Sequence, residues 1–185
     1  MKFEPITTKI DKGCVIWITG LSGAGKTTLA KKIIINLKSR GVPCILLDGD
    51  IIRNILSEDK NEKNYTYNAR KKMADKYSRL SLLLASQGYC VITSVIGMFK
   101  DIYDWNKKNL PGYFEIFLDI SLKELKKRDN KGIYKKFALG ELKNVAGLDL
   151  AIQKPTNPDL HIKNNEQINI EPIIHYAVKK LSINR

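Results

Sequence analysis

The stretch that most constrains this chain is residues 15–27, VIWITGLSGAGKT, where an apolar run opens into a glycine-spaced loop ending in Gly-Lys-Thr. The run is short and rich in β-branched residues, as a buried strand is, and the residues after Thr27 follow a helical pattern. A strand feeding a G-x-x-x-x-G-K-[ST] loop that opens a helix is a phosphate cradle. Gly20, Gly23 and Gly25 allow the backbone to turn so that the N–H groups of Leu21, Ser22, Ala24 and their neighbours point inward. The helix N-terminus adds partial positive charge there. Lys26 is placed to reach β- and γ-phosphates, Thr27 to hold Mg²⁺, and Thr28 continues the helix start. A nucleoside triphosphate and Mg²⁺ are therefore the implied cofactors.

The rest of the chain repeats the strand–helix alternation. VIWIT (15–19), CILLD (44–48), CVITSV (90–95), YFEIFLD (113–119) and DLHIK (159–163) read as strands, with helical patterns near 25–39, 67–87, 99–109, 121–128 and 171–182. Alternation of this kind predicts an α/β fold: a parallel five-stranded sheet with helices on both faces, in one domain over 1–185. Residues 129–158 are weakly periodic, rich in Gly, Lys and Pro, and long for a connection, which predicts a lid.

Phosphate cradles serve motors, switches and small-molecule kinases, so a second site must decide between them. CILLD runs straight into LDGD, placing Asp48 and Asp50 at the carboxyl end of a strand, where open α/β sheets bind ligands. One acid is placed to act on the metal, directly or through water, and the other to take a proton from an attacking hydroxyl. CVITSV ends without an acid, whereas a hydrolysing motor wants one there. The pattern favours transfer to a hydroxyl.

The formal net charge of +13 suits nucleic acid, membrane surfaces or phosphate-rich ligands. The lysines are dispersed and the composition is rich in Lys, Ile and Asn, so direct nucleic-acid binding is not expected. No run of 18 apolar residues is present and MKFEPITTKI lacks a signal-peptide core, so no membrane association and a cytoplasmic location are expected. Cys14, Cys44 and Cys90 lie in strand-like runs without metal or disulfide spacing and read as small core residues. His161, His175 and Trp105 have no partner that sequence can name, and Trp17 reads as core.

Four stretches, GLSGAGKTT (20–28), LDGDIIRNIL (47–56), RDNKGIYKKFALGELKNVAGLD (128–149) and KPTNPDLHI (154–162), resemble the adenylylsulfate (APS) kinases, which use MgATP to phosphorylate the ribose 3′-hydroxyl of APS. The resemblance implies a flavodoxin-like kinase fold and a homodimer. It implies that Asp50 faces the acceptor hydroxyl with Asp48 nearer the metal, that Arg53 faces the acceptor's anionic 5′ end, and that Arg128 belongs to the ATP base site. Lys131, Tyr134 and Lys135 would belong to the lid, with Lys135 also reaching the acceptor.

The family pattern FSxxDRxEN corresponds to YTYNARKKM here. Tyr65 keeps a stacking face and Arg70 keeps a guanidinium that with Arg53 makes an anion clamp. Met73 stands in place of an asparagine that reads a base edge. GFTGI reads NVAGL, with Val145 in place of an aromatic wall, and ISP reads Ile96-Gly97-Met98. A retained anion clamp beside a reduced purine clamp resembles the diverged branch of kinases acting on cytidine diphosphoramidate. An authentic APS kinase, a non-catalytic nucleotide-binding module and a nucleic-acid kinase or binder are the alternatives.

Overall fold

The computed structural model describes residues 13–56, 65–164 and 168–181. Five parallel strands, β1 (Cys14–Gly20), β2 (Cys44–Asp48), β3 (Cys90–Val95), β4 (Tyr113–Asp119) and β5 (Leu160–Lys163), form one sheet. The helices are α1 (Lys26–Ser39), α2 (Gly49–Leu56), α3 (Tyr67–Ala85), α4 (Lys100–Asn109), α5 (Leu122–Arg128), α6 (Ile133–Ala138) and α7 (Glu171–Leu181).

The sheet order is β2-β3-β1-β4-β5. The flavodoxin-like order implied by the resemblance would set β1 beside β2; here β3 lies between them. The chain leaves β1 through α1, skips one place, and returns to fill it with β3. The ends of β1 and β2 therefore face each other across β3, leaving a gap about two strand spacings wide above Ser94 and Val95.

Every residue of β1 and of β3 is buried, as central parallel strands covered on both faces must be. Alternate residues enter different layers. Cys14, Ile16 and Ile18 pack with Ile33 and Leu37 of α1 and Ile173, Ile174 and Ala177 of α7. Trp17 faces the other way, against Met73, Ala74 and Tyr77 of α3 and Ile102 of α4. The three cysteines are free and share one register row, Cys14 opposite Cys90 and Cys44 opposite Cys90.

Two helices were not legible as such. The LDGD stretch, read as the carboxyl end of a strand, passes directly into α2, and the segment expected as a lid carries α6. Trp105 is half-buried with the Arg79 guanidinium 5.4 Å over its ring. His161, on β5, stacks on Phe117 and bonds the Asp119 carboxylate at 3.2 Å, while His175 is exposed on α7. Among the described residues, no helix is long and apolar enough to cross a membrane.

Candidate active site

The loop from Gly20 to Gly25 leaves the end of β1 and turns into α1 at Gly25, whose φ of 95° is left-handed and suits glycine. The first turn of α1 carries no acid, so nothing on the helix itself neutralises its N-terminal partial charge. Lys26 folds its ammonium back onto the Leu21 carbonyl at 2.8 Å. The residue is half-buried. Burial pushes its pKa down to about 8, aided by Lys131 and opposed by Asp50 and Asp48.

Thr27, on the exposed side of the first turn of α1, donates its hydroxyl to Asp48 Oδ2 at 2.7 Å. Ser94 donates to the same oxygen at 3.1 Å. The other carboxylate oxygen accepts the N–H of Asp50 at 3.0 Å and of Ile51 at 3.5 Å, capping α2. Burial of Asp48 pushes its pKa up, but the donations from Thr27, Asp50, Ser94 and Ile51 together outweigh it, so the carboxyl lies below its ordinary value. Ser94 was missed by sequence reading; it stands at the end of β3, opposite Asp48 in the register.

Asp50 projects from the first turn of α2, exposed, and its carboxylate is paired with the Lys131 ammonium. The 129–158 segment, expected as a lid, is thus tied to the start of α2. Its α6 begins at a left-handed Gly132, is capped by Asp129, which accepts the N–H groups of Tyr134 and Lys135, and drops the Tyr134 hydroxyl onto the Ser22 carbonyl at 2.8 Å. Lys135 is exposed, and Arg128 is half-buried beside Glu124 at 3.4 Å.

Arg53 and Arg70 meet at Tyr65, with guanidinium carbons 5.1 and 5.2 Å from the ring centroid. Arg70 donates Nε–H to the Tyr65 carbonyl at 2.9 Å and Nη2–H to the Asn144 carbonyl at 2.8 Å, leaving three further N–H groups. Burial lowers the Arg70 pKa to about 10, and the like charge of Arg53 adds to the effect. Two cations side by side, with Arg70 desolvated, favour an anion between them. Asn144 was missed by sequence reading; it sits at a φ of 61° in a turn pinned by Asp149, which accepts the N–H groups of Asn144 and Val145.

The remaining expected acceptor residues are placed differently. Ile96 is half-buried and its carbonyl accepts the Thr19 hydroxyl at 2.8 Å. Gly97 lies against the Trp17 ring. Met73 is 7% exposed, packed among Trp17, Tyr77, Val95 and Phe99, and Val145 is 5% exposed.

The adenylylsulphate kinase family model matches residues 12–163. The chain belongs to the adenylylsulfate kinase family. It is 39% identical over 171 residues to the cytidine diphosphoramidate kinase of Campylobacter jejuni, covering 91% of this chain and 96% of that one. It is 34% identical to a probable adenylyl-sulfate kinase of Pseudomonas aeruginosa, covering 92% and 78%. Among solved structures, the Mycobacterium tuberculosis APS kinase in complex with AMPPNP and APS superposes with a TM-score of 0.78 at 29% identity, covering 92% of this chain and 98% of that one. The protein is thus a phosphotransferase with the fold of the P-loop APS kinases. Kinases of this family use ATP with a metal ion.

The residues present fit such a metal. Thr27 and Asp48 offer hard oxygen donors side by side, 2.7 Å apart, at the mouth of the phosphate loop. A hard divalent ion that keeps most of its waters and phosphate ligands needs only one or two protein oxygens.

Proposed function

We propose that this chain transfers the γ-phosphate of MgATP to the ribose 3′-hydroxyl of a nucleotide with a modified 5′ anhydride, with cytidine diphosphoramidate as the acceptor. The supporting observation is what surrounds the paired arginines. Arg53 and Arg70 are gathered on Tyr65. Beside them, Val145, next to the Asn144 that Arg70 bonds, offers an aliphatic side chain, and Met73, one turn after Arg70 on α3, offers no amide to read a base edge. Such a cleft keeps the means to hold an anionic 5′ end and lacks a second aromatic wall for a purine. The Campylobacter relative carries the same activity in its name.

In this reading the backbone N–H groups of Leu21–Thr28 and the Lys26 ammonium hold the β- and γ-phosphates. Thr27 and Asp48 hold Mg²⁺, which when bound neutralises phosphate charge. Arg128 faces the ATP base. Arg53 and Arg70 take the acceptor's 5′ anion, while Tyr65, Ile96, Gly97, Lys135 and Val145 border the acceptor, with Met73 packed behind them. As the 3′-oxygen attacks the γ-phosphorus, the bond to the β,γ-bridging oxygen breaks, ADP leaves, and the hydroxyl proton passes to Asp50. Lys131 must first move off Asp50, and the triphosphate gives it an anion to move to.

ADP release measured with cytidine diphosphoramidate and with APS tests the reading. Turnover of the cytidine acceptor at least about a hundredfold faster in kcat/KM is expected, a difference of about 2.7 kcal/mol. Turnover of APS alone would establish the second reading, an authentic APS kinase, which the Pseudomonas relative and the Mycobacterium structure favour. Asp50→Asn is expected to abolish transfer while leaving ATP affinity in place. A homodimer is part of the proposal; Ile51 and Ile55, 59% and 69% exposed on α2, are a surface it would cover, and light scattering would read twice the chain mass.

A further inference from the structure

We infer that Tyr77 is a positioning residue for phosphoryl transfer: its buried hydroxyl holds the Asp48–Gly49–Asp50 turn, and with it Asp50 and Arg53, in register with Arg70. The inference rests on the reading of Asp50 as the proton acceptor. It concerns a residue that no motif in the sequence singles out.

The need for such a tether comes from α2. This helix carries Asp50 in its first turn and Arg53 in its last, yet none of its residues is buried. Ile52 is half-buried and supplies its apolar anchorage, packed against the cluster that holds Trp17 and Met73 and against the one that holds Leu47 and Val91. A helix so lightly packed does not fix its own side chains to a fraction of an ångström, and transfer chemistry is sensitive to displacements of about 1 Å.

The turn that starts α2 is instead held from three sides. From below, Gly49 is pressed onto β3: a Cβ there would lie 3.0 Å from Val95 Cγ1 and 3.1 Å from the Ser94 carbonyl oxygen. From within, the Asp48 carboxylate accepts the N–H groups of Asp50 and Ile51. From α3, the Tyr77 hydroxyl donates to the Gly49 carbonyl at 2.7 Å. Tyr77 is 3% exposed, and burial pushes its pKa up to about 12, so the phenol remains a donor throughout the neutral range. Arg53, Asp50 and Asp48 all lie within its electrostatic reach.

The tether is anchored at its far end. The Tyr77 carbonyl accepts the Ser81 hydroxyl at 2.8 Å, and Ser81 Oγ bonds Thr93 Oγ1 of β3 at 2.8 Å. Arg70 lies seven residues before Tyr77, two turns along the same face of α3. One helix therefore carries an acceptor-binding guanidinium and the clamp on the turn that carries the base. The hydroxyl sets the distance between them.

Tyr77→Phe removes this bond and keeps the ring. The expected result is a fall of about tenfold in kcat and a rise in acceptor KM, with ATP affinity unchanged within about twofold. Amide exchange of α2 (residues 50–56) is expected to quicken by about tenfold, while that of α3 stays as it was. Ser78→Ala, which removes another buried α3 hydroxyl, one bonded to the Ala74 carbonyl at 3.2 Å, is expected to leave kcat unchanged. Unaltered kcat and α2 exchange in Tyr77→Phe would overturn the inference. So would a loss of ATP affinity in step with kcat, or an equal loss in Ser78→Ala, since each marks a general packing defect. Assaying both acceptors keeps the two readings apart. If the wild type phosphorylates neither, the proposed function fails, while α2 exchange, which needs no acceptor, still decides the role of Tyr77.

Discussion

The Lys131 ammonium is ion-paired with the Asp50 carboxylate, so a lid lysine rests on the side chain proposed to receive the acceptor's proton. The two groups are 57% and 71% exposed, and a pair that open contributes at most about 1 kcal/mol. A triphosphate entering the cleft offers Lys131 a denser negative charge, and the exchange frees Asp50 when ATP is in place. Lys131→Ala should leave the melting temperature nearly unchanged and lower kcat/KM for ATP by at least about tenfold. Thermal melts and ADP-release assays on the same preparation check both halves. A variant as active as the wild type would remove Lys131 from the mechanism.

The burial of Lys26 makes nucleotide binding a proton-linked event. Its pKa in the fold is lowered from 10.5 to about 8. Between those values the unfolded chain holds more protons than the folded one, so this group's contribution to stability becomes more favourable as pH rises through that window. Phosphate oxygens laid against the ammonium favour its charged form and raise its pKa again. Calorimetry at pH about 8.5, in two buffers of different ionisation enthalpy, should therefore show ATP binding with uptake of part of a proton, and at pH about 6.5 no uptake. Lys26→Met should melt at a higher temperature than the wild type in the absence of nucleotide at neutral pH, having lost a charge that the fold desolvates, and should not bind ATP.

Met73, expected to border the acceptor, is a core position. It packs with Trp17, Tyr77, Val95 and Phe99. Placing the family's asparagine there would bury an amide among hydrocarbon and leave a void beside Trp17. Met73→Asn should destabilise the protein by about 2–4 kcal/mol in urea unfolding and should not confer turnover of APS. Gain of APS turnover without loss of stability would mean that the position faces the acceptor directly.

Much of the architecture was written locally. CILLD, CVITSV and YFEIFLD are strands over the residues expected, because an apolar run of that length between polar breaks has few other ways to hide. The GKT loop and the LDGD pair were legible for the same reason: their chemistry depends on spacing within a few residues. The helix α2 was not read, although Ile51, Ile52, Ile55 and Leu56 recur at helical spacing, because its eight residues make little more than two turns and follow the LDGD pair without a break. The helix α6 was missed because six residues hold less than two turns of pattern.

By itself the sequence determined the strand–loop–helix that cradles phosphate, the two acids at the end of β2, and the arginines and aromatic side chains available to an acceptor. Only the tertiary structure decided what these groups meet. It placed β3 between β1 and β2, so that Thr27 and Ser94 converge on one oxygen of Asp48. It folded Lys131 onto Asp50 across 81 positions of chain, tied Arg70 to Asn144 across 74, and set Tyr77 under Gly49 across 28. Periodicity and motif spacing record the conformation of neighbours in the chain. Contacts of this range depend on strand order and helix packing, which minimise exposed apolar surface over the whole molecule at once and leave no short-range mark.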